Sequence, residues 1–388
     1  NCLGKHRFAC ARRTDKQLML ILRTTGIDGH QKRHGIQIRR IHDHRNRQRN
    51  TQPLLQNTQT TVKAIRQELT FIQNNKNMNI NFKHSSKALM ALVCFAMAMA
   101  MMMPTAATAK KNKKIGIQLY SVMGAMNKDP RGSLERLAKQ GYNACELVQW
   151  GGDPKVFGLP AEEFKSICDK NGISIVSTHS SIQEDPAKET EIMNRWRELF
   201  KIQKACGGKY FVIPSYGVDY TVAGLNQMCD YFNRVGKIAS EYGLKLGYHN
   251  HSAEFKKLKD SDKVMWEYLV ENTDPKYVCF ELDVYWCTKG GKDPVAYLKK
   301  YPKRIELLHI KDDFVIGESG TVNFEGIFKQ FHKNGWRNYF VEIETPGWLR
   351  DKKNADGSKY TGDQIMDEVF GAAQKSINYL QNAPFVKK

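Results

Sequence analysis

The sequence predicts a single α/β barrel of eight strand–helix units, a (β/α)8 TIM barrel, over residues 110–388. Short apolar runs alternate with longer amphipathic segments eight times along this part of the chain. Polar side chains follow nearly every apolar run, and in such a barrel the strand ends meet at one mouth. A doubly wound sheet would share the alternation, but the chain has neither a G-x-G-x-x-G sequence nor a phosphate-binding loop.

Glycine and proline mark the boundaries of these units. Pro130, Pro160 and Pro294 suit the first turn of a helix, whereas Gly141 and Gly243 suit helix ends. The predicted strands are 115–120, 144–148, 173–177, 210–213, 245–251, 278–283, 305–309 and 339–344. The predicted helices are 130–140, 160–171, 186–205, 222–242, 262–271, 294–301, 324–334 and 363–380.

The formal charge of +20 is concentrated in the first part of the chain. Residues 1–77 hold 16 basic and 4 acidic side chains without sustained apolar periodicity, so we expect a disordered basic extension. Residues 110–388 are nearly balanced in charge, and this argues against a nucleic-acid partner for the barrel.

Residues 78–109 have the three parts of a secretory signal peptide. A basic stretch precedes the apolar run 88–103, and a small-residue A-x-A pattern follows at 107–109. The apolar run is short for a membrane span, which needs about 20 residues. We therefore expect cleavage, export to the periplasm and no stable membrane insertion. Because a signal peptide acts at an N-terminus, we interpret residues 1–77 as a mis-called gene start; a genuine basic tail is the alternative.

The cysteines do not form a redox or zinc-binding pattern. None of the 9 belongs to a C-x-x-C pair, and most lie in apolar strand or helix contexts. We therefore expect buried free thiols in the barrel rather than disulfides.

Strands five to eight each end in a side chain of the kind that binds metals. These residues are His249, Asp283, His309 and Glu342. Burying such groups without partners would be costly, and a shared ion at the mouth explains all four together. Nitrogen and carboxylate ligands in one set suit a divalent Mn, Co, Zn or Fe ion.

Structural roles remain open for individual residues. A lone histidine at a strand end can be an ordinary hydrogen-bonded residue. Glu281 can pair with a lysine or arginine of the barrel, and Glu146 can pair with Lys311. The convergence of four strand ends favours the metal site over these separate explanations.

Six short motifs carry a resemblance to a known family. They are GIQLYS at 116–121, GYNACEL at 141–147, LGYHNH at 246–251, ELDVYW at 281–286, LHIKD at 308–312 and VEIE at 341–344. Together they resemble the xylose-isomerase-like barrel superfamily, specifically its sugar phosphate isomerases/epimerases. The resemblance implies a metal held by Glu, Asp, His and Glu on strands five to eight, with Glu344 as an alternate for Glu342. His249 replaces the first Glu, and that version is similar to inosose dehydratases and 3-keto-glycoside lyases.

This resemblance implies a metal-dependent sugar isomerase or epimerase, in which proton abstraction next to a carbonyl gives a metal-bound enediolate. Elimination from a 3-keto-glycoside or keto-inositol, a lyase or dehydratase reaction, begins in the same way. The candidate acid/base residues are Glu342, Glu344, His249 and His251, with Lys311 as a donor to the oxyanion or leaving group. The candidate substrate contacts are Tyr120, Glu146, Trp150, His179, Glu281 and Trp286.

Two competing functions use the same fold. A DNA-repair endonuclease would need a multi-zinc cluster and a basic DNA face, which the balanced charge of the barrel disfavours. A non-catalytic sugar-binding barrel would not need ligand-type residues on four strands. Because we expect an exported protein, and sugar phosphates are mainly cytosolic, the expected partner is a non-phosphorylated sugar or glycoside.

Overall fold

The computed structural model describes residues 113–149 and 154–387 of the chain. The basic extension, the signal peptide and Trp150 lie outside these described residues. Among the helices of the described ranges, none combines the length and the apolar character that crossing a membrane requires.

Eight parallel strands close into a barrel in chain order, which confirms the predicted (β/α)8 architecture. Strand β8 completes the closure by pairing with β1 at Gly116↔Phe340 and Ile117↔Val341. The strands are β1 (Gly116–Gln118), β2 (Ala144–Val148), β3 (Ser174–His179), β4 (Tyr210–Ile213), β5 (Lys245–His249), β6 (Val278–Asp283), β7 (Ile305–Ile310) and β8 (Asn338–Val341).

Helices follow each strand, and the long ones agree with the predicted segments. In chain order the α-helices are α1 (Met123–Lys128), α2 (Pro130–Gln140), α3 (Ala161–Lys170), α4 (Glu189–Cys206), α5 (Val222–Glu241), α6 (Met265–Asn272), α7 (Val284–Lys289), α8 (Pro294–Lys300), α9 (Phe324–Lys333), α10 (Gly347–Arg350) and α11 (Gly362–Asn382). The short α1, α7 and α10 were not predicted, and neither were the 3-10 turns Leu119–Val122 and Ala253–Phe255. Pro186–Lys188, the start of the third predicted helix, is a 3-10 turn that leads into α4.

Three strands end earlier than predicted because side chains capture the backbone at their mouth ends. The Gln118 side chain accepts a hydrogen bond from Tyr120 N at 3.0 Å, so the chain turns into a 3-10 helix instead of continuing β1. After β5, Glu254 accepts from His251 N at 2.9 Å. After β8, Ile343 N donates to Ser121 Oγ at 2.9 Å. Each interaction ends sheet pairing where the site begins.

The seam between β1 and β8 requires a glycine. A Cβ at Gly116 would lie 2.6 Å from Phe340 Cδ1 and 2.7 Å from Tyr339 O, closer than real contacts allow. Helix α11 packs over the neighbouring α2 region, where Tyr142 Oη donates to Ala373 O at 2.9 Å. The last helix therefore reinforces the closure of the barrel.

Apolar side chains fill the barrel interior below the mouth, and a larger core lies between the strands and the helices. The interior group is Ala144, Val176, Tyr210, Val212, Cys279, Leu307 and Phe340. The six cysteines of the described ranges are buried and free, which confirms the expectation for the barrel. The interior is thus a packed core, and the predicted site residues lie in the layers above it.

Candidate metal centre and catalytic mouth

The four predicted metal ligands converge at the carboxyl ends of β5 to β8. One ligand atom from each of His249, Asp283, His309 and Glu342 lies within 4.8 Å of the others. All four side chains are buried, and the most exposed of them, Glu342, is 7% accessible. We call these four residues the mouth cluster. Their assignment as ligands stays a prediction, but the structure brings them together.

Two atoms of the mouth cluster have no hydrogen-bond partner although they are buried. They are Asp283 Oδ2 and His309 Nδ1, the second of which lies 3.4 Å from Glu342 Oε2 without hydrogen-bond geometry. The other oxygen of Asp283, Oδ1, caps α7 by accepting from Trp286 N at 2.7 Å. Burial raises the pKa of Asp283 to about 7, although Lys311 opposes the shift. Unpartnered buried ligand atoms are costly, so this donor set fits a cation that would engage them.

A second polar group lies one layer further into the barrel. It consists of the fully buried Gln118, Glu146 and Glu281 together with His179, which also reaches the mouth, and we call it the deep cluster. Glu281 is two residues before Asp283 and shares its face of β6. Gln118 Nε2 donates to Glu146 Oε2 at 2.6 Å. His179 Nε2 lies 2.8 Å from Glu281 Oε2 and 3.1 Å from Glu146 Oε2. The sequence did not single out Gln118.

The deep cluster contacts the imidazoles of the mouth cluster from below. His309 Nε2 lies 2.7 Å from Glu146 Oε2, and His249 Nδ1 lies 3.2 Å from Glu281 Oε2. A histidine that binds a metal commonly donates its other ring N–H to a carboxylate, which fixes its tautomer and orientation. Glu146 and Glu281 occupy that position, and neither pairs with a lysine or arginine here.

The charges of the two clusters also fit a divalent cation. Glu146, Glu281, Asp283 and Glu342 place four buried carboxyl groups in this region, and Lys311 is the buried lysine beside them. Burial raises the pKa of Glu281, and the nearby Glu146 carboxylate adds to the shift. Burial and the imidazoles of His309 and His179 hold the pKa of His249 well below its usual value, which keeps the lone pair of its unprotonated ring nitrogen available. A divalent ion would balance the excess negative charge.

Lys311 lies behind the mouth rather than in it. Its side chain is 2% exposed, and Nζ lies 3.0 Å from Glu344 Oε1 and 3.4 Å from Glu342 Oε2. Nζ also lies 5.7 Å from the centre of the Trp286 ring. Burial opposes the charge on Glu342, but Lys311 and His309 outweigh it and hold the pKa of Glu342 well below its usual value. Lys311 therefore keeps this carboxylate ionised.

A cavity of about 180 Å³ opens above the mouth cluster. Its lining includes six predicted site residues, two of which belong to the mouth cluster, namely Tyr120, His179, His249, His251, Glu342 and Glu344. Pro214 and Ser215, which follow β4, also line it and were not predicted. Glu146 and Glu281 are fully buried beneath it, and the Trp286 ring lies tilted beside His251 with 6.0 Å between ring centres. Candidate bases and candidate metal ligands thus line the same cavity.

Comparison with known proteins identifies similar barrels. A family model described as "Xylose isomerase-like TIM barrel" matches residues 134–361. A crystal structure of a sugar phosphate isomerase/epimerase from Parabacteroides distasonis is 33% identical with a TM-score of 0.63. The match covers 74% of this chain and 99% of that one. A zinc-bound IolI protein has a TM-score of 0.51 at 16% identity, covering 68% of this chain and 96% of that one, and this likeness shows the fold alone.

Curated relatives point to a second chemistry. The inosose dehydratase of Clostridium beijerinckii is 26% identical over 164 residues, which are 36% of this chain and 51% of the relative. The chain thus spans about half the length of this curated relative. The comparisons as a group therefore support an enzyme that acts on sugars and leave isomerisation and elimination both available.

Proposed function

Since the chain belongs to the xylose isomerase-like TIM barrel family, we propose that it is a divalent-metal-dependent isomerase or epimerase of a small sugar carbonyl compound. The observation that carries this proposal is the mouth cluster, whose buried Asp283 Oδ2 and His309 Nδ1 have no hydrogen-bond partner. His249, Asp283, His309 and Glu342 would hold the ion. Lewis-acid polarisation of a carbonyl is the chemistry that such an ion supplies when bound.

The proton that leaves the carbon next to the carbonyl needs a base that faces the cavity. Glu344 and His251 line the cavity from the ends of β8 and β5, respectively. Groups on two different strands can approach a substrate from two sides, so one can remove the proton and the other can return it. Glu342 and His249 are committed to the ion in this assignment, and Lys311 holds Glu344 in position.

Elimination is the second candidate, and His249 favours it. The imidazole stands where the resemblance implies a carboxylate, so the pair of metal-bound carboxylates expected of a sugar epimerase is incomplete. The inosose dehydratase relatives add to this interpretation. Glu344 would again remove the proton next to the carbonyl, and His251 would give a proton to the leaving group. A 3-keto-glycoside or a keto-inositol would be the substrate.

Turnover in deuterated water distinguishes the two reactions. We would load the purified protein with Mn, Co, Zn or Fe and incubate it with free ketoses and with 3-keto-glucosides, following the products by NMR. Solvent deuterium at carbon without fragmentation would support isomerisation or epimerisation. Release of an aglycone would support elimination. Absence of turnover together with absence of bound metal would refute the enzymatic proposal and leave a sugar-binding barrel.

We also propose that the protein is exported to the periplasm. The support is the basic, apolar and small-residue pattern of residues 78–109. N-terminal sequencing of the native protein would test it. A first residue near Lys110 would agree with cleavage, whereas recovery of peptides from residues 1–77 would contradict both the cleavage and the mis-called gene start.

A further inference from the structure

We propose that a second, larger cavity beside the mouth is a binding subsite for a second, neutral sugar ring, so that the substrate is a glycoside or disaccharide. This inference rests on the proposed function, because it assumes that the reacting ring lies above the mouth cluster. The second cavity measures about 490 Å³ and is formed by the loops after β3 and β4 and by α5. Loops at the carboxyl ends of strands place it on the same face of the barrel as the catalytic mouth.

Two loops contribute to both cavities. Pro214 and Ser215 line the mouth cavity, and the next residues, Tyr216 and Gly217, line the larger one. His179 ends β3 in the mouth, and Gln183 of the following loop lines the larger cavity. The loop after β4 thus passes directly from the lining of one cavity to the lining of the other, which makes the two cavities neighbours.

Size supports an extended ligand. Cavities that bind small molecules usually measure about 300–1,000 Å³. The mouth cavity alone, at about 180 Å³, falls below that range. The larger cavity, at about 490 Å³, lies within it. A single ring fits the scale of the mouth, so the second cavity has room for a further ring.

Hydrogen bonds between the two loops hold the lining of the larger cavity in place. Gln183 Nε2 donates to Gly217 O at 2.8 Å, and Gly217 N donates back to Gln183 Oε1 at 3.2 Å. Beneath them, Tyr231 Oη donates to Ile182 O at 2.9 Å. These contacts pre-form the cavity, which lowers the cost of ordering it around a ligand.

The lining indicates a neutral, hydroxyl-rich ligand rather than a phosphorylated one. Carboxylates of Glu184, Asp219 and Asp230 line the cavity together with the guanidinium of Arg234. Arg234 pairs with Glu184 and Glu189, and Lys259 pairs with Asp219, so these cations are already engaged and carboxylates remain in excess. Carboxylates accept hydrogen bonds from sugar hydroxyls, and an excess of them repels a phosphate. Tyr216, Val218 and Met228 add apolar surface for the ring carbons.

The test is a substitution that fills the second cavity and leaves the mouth unchanged. Gln227 lies exposed on α5 in the cavity wall, so we would make Gln227→Trp. Lys237→Trp, at an exposed position of the same helix outside the lining, is the matched control. KM and calorimetric Kd would be measured with metal-loaded protein for 3-ketoglucose, its 6-phosphate and the disaccharide 3-ketotrehalose.

We expect the unmodified protein and the control to bind 3-ketotrehalose about tenfold more tightly than 3-ketoglucose, a difference of about 1.4 kcal/mol. Gln227→Trp should remove that preference without changing the values for 3-ketoglucose. Equal binding of the two sugars by the unmodified protein, or tighter binding of the 6-phosphate, would overturn the subsite. Deuterium exchange into 3-ketoglucose without any disaccharide preference would leave the proposed function standing. A disaccharide preference without exchange or fragmentation of either sugar would refute the function alone.

Discussion

The mouth cluster and the deep cluster contain the same kinds of side chain, but they differ in what these side chains face. In the deep cluster, Glu146 Oε2 and Glu281 Oε2 each lie within 3.2 Å of three side-chain nitrogens. In the mouth cluster, Asp283 Oδ2 has no hydrogen-bond partner, and His309 Nδ1 lies 3.4 Å from Glu342 Oε2. Unpartnered oxygens occur in both layers, because Glu146 Oε1 and Glu281 Oε1 also lack a partner, so this feature alone does not distinguish ligand from support. Access to the cavity does, because His249 and Glu342 line it, whereas Glu146 and Glu281 are fully buried beneath it.

Removal of the Asp283 charge should have the largest effect. Asp283→Asn retains a good helix cap for α7 but removes one of four candidate ligands. We expect stoichiometric metal binding to be lost, as measured by metal analysis of the purified protein. We expect turnover to be lost as well, as measured by the NMR assay. Asp293→Asn is the control, because Asp293 caps α8 in the same way outside the site. Full metal occupancy in Asp283→Asn would show that the mouth cluster is not the metal site.

Loss of Lys311 should change catalysis more than metal binding. Lys311→Met removes one of the cations that, together with His309, keep Glu342 ionised. The acidic limb of the pH–rate profile should therefore move to higher pH, with metal content retained. Lys245→Met, at the opposite end of the barrel beside Glu306, should leave the profile unchanged. An unchanged profile in Lys311→Met would remove Lys311 from the assignment.

The supporting role of the deep cluster predicts a smaller effect on affinity. Glu146→Gln removes the charged acceptor beneath His309, and such outer-shell changes cost about 10–100-fold in metal affinity. Chelator competition would measure the change. Glu306→Gln replaces another buried carboxylate, which accepts from Tyr210 Oη at 3.1 Å, and should not alter metal affinity. Two ions per chain in the unmodified protein would instead make the deep cluster a metal site of its own.

Acidity should weaken metal binding through Asp283. Its pKa of about 7 means that the carboxyl group becomes protonated as the pH falls below 7. An ion must displace that proton, so the apparent affinity should fall by about tenfold per pH unit below 7 if one proton is released. Titrations from pH 8 to pH 5 would measure the slope, and an affinity independent of pH would contradict the assignment.

The sequence was sufficient to predict the barrel and the residues that meet in the mouth cluster, because both predictions depend on local patterns. Apolar runs, prolines and glycines mark the strands and helices. The carboxyl ends of the strands meet at the mouth, so ligand-type residues there are expected to come together. The deep cluster was not predictable in the same way. Its contacts cross the interior, and Glu146 meets His309 over a separation of 163 residues. Nothing in the sequence marks Gln118 as a site residue, and its hydrogen bond to Glu146 exists only in the closed barrel.

The seam between β1 and β8 has a consequence for the order in which the protein folds. A hydrogen bond joins Ser121 and Ile343 across 222 residues. Contacts so distant in sequence form late, because the entropy cost of closing the loop between them comes before the stabilising free energy of the contact. Glu342 and Glu344 directly follow the closing strand. The nascent chain can therefore acquire most of its helices and strands before it acquires the fourth candidate ligand. Competence to capture an ion would arise in the same step that closes the barrel, so metal uptake would report completion of the fold.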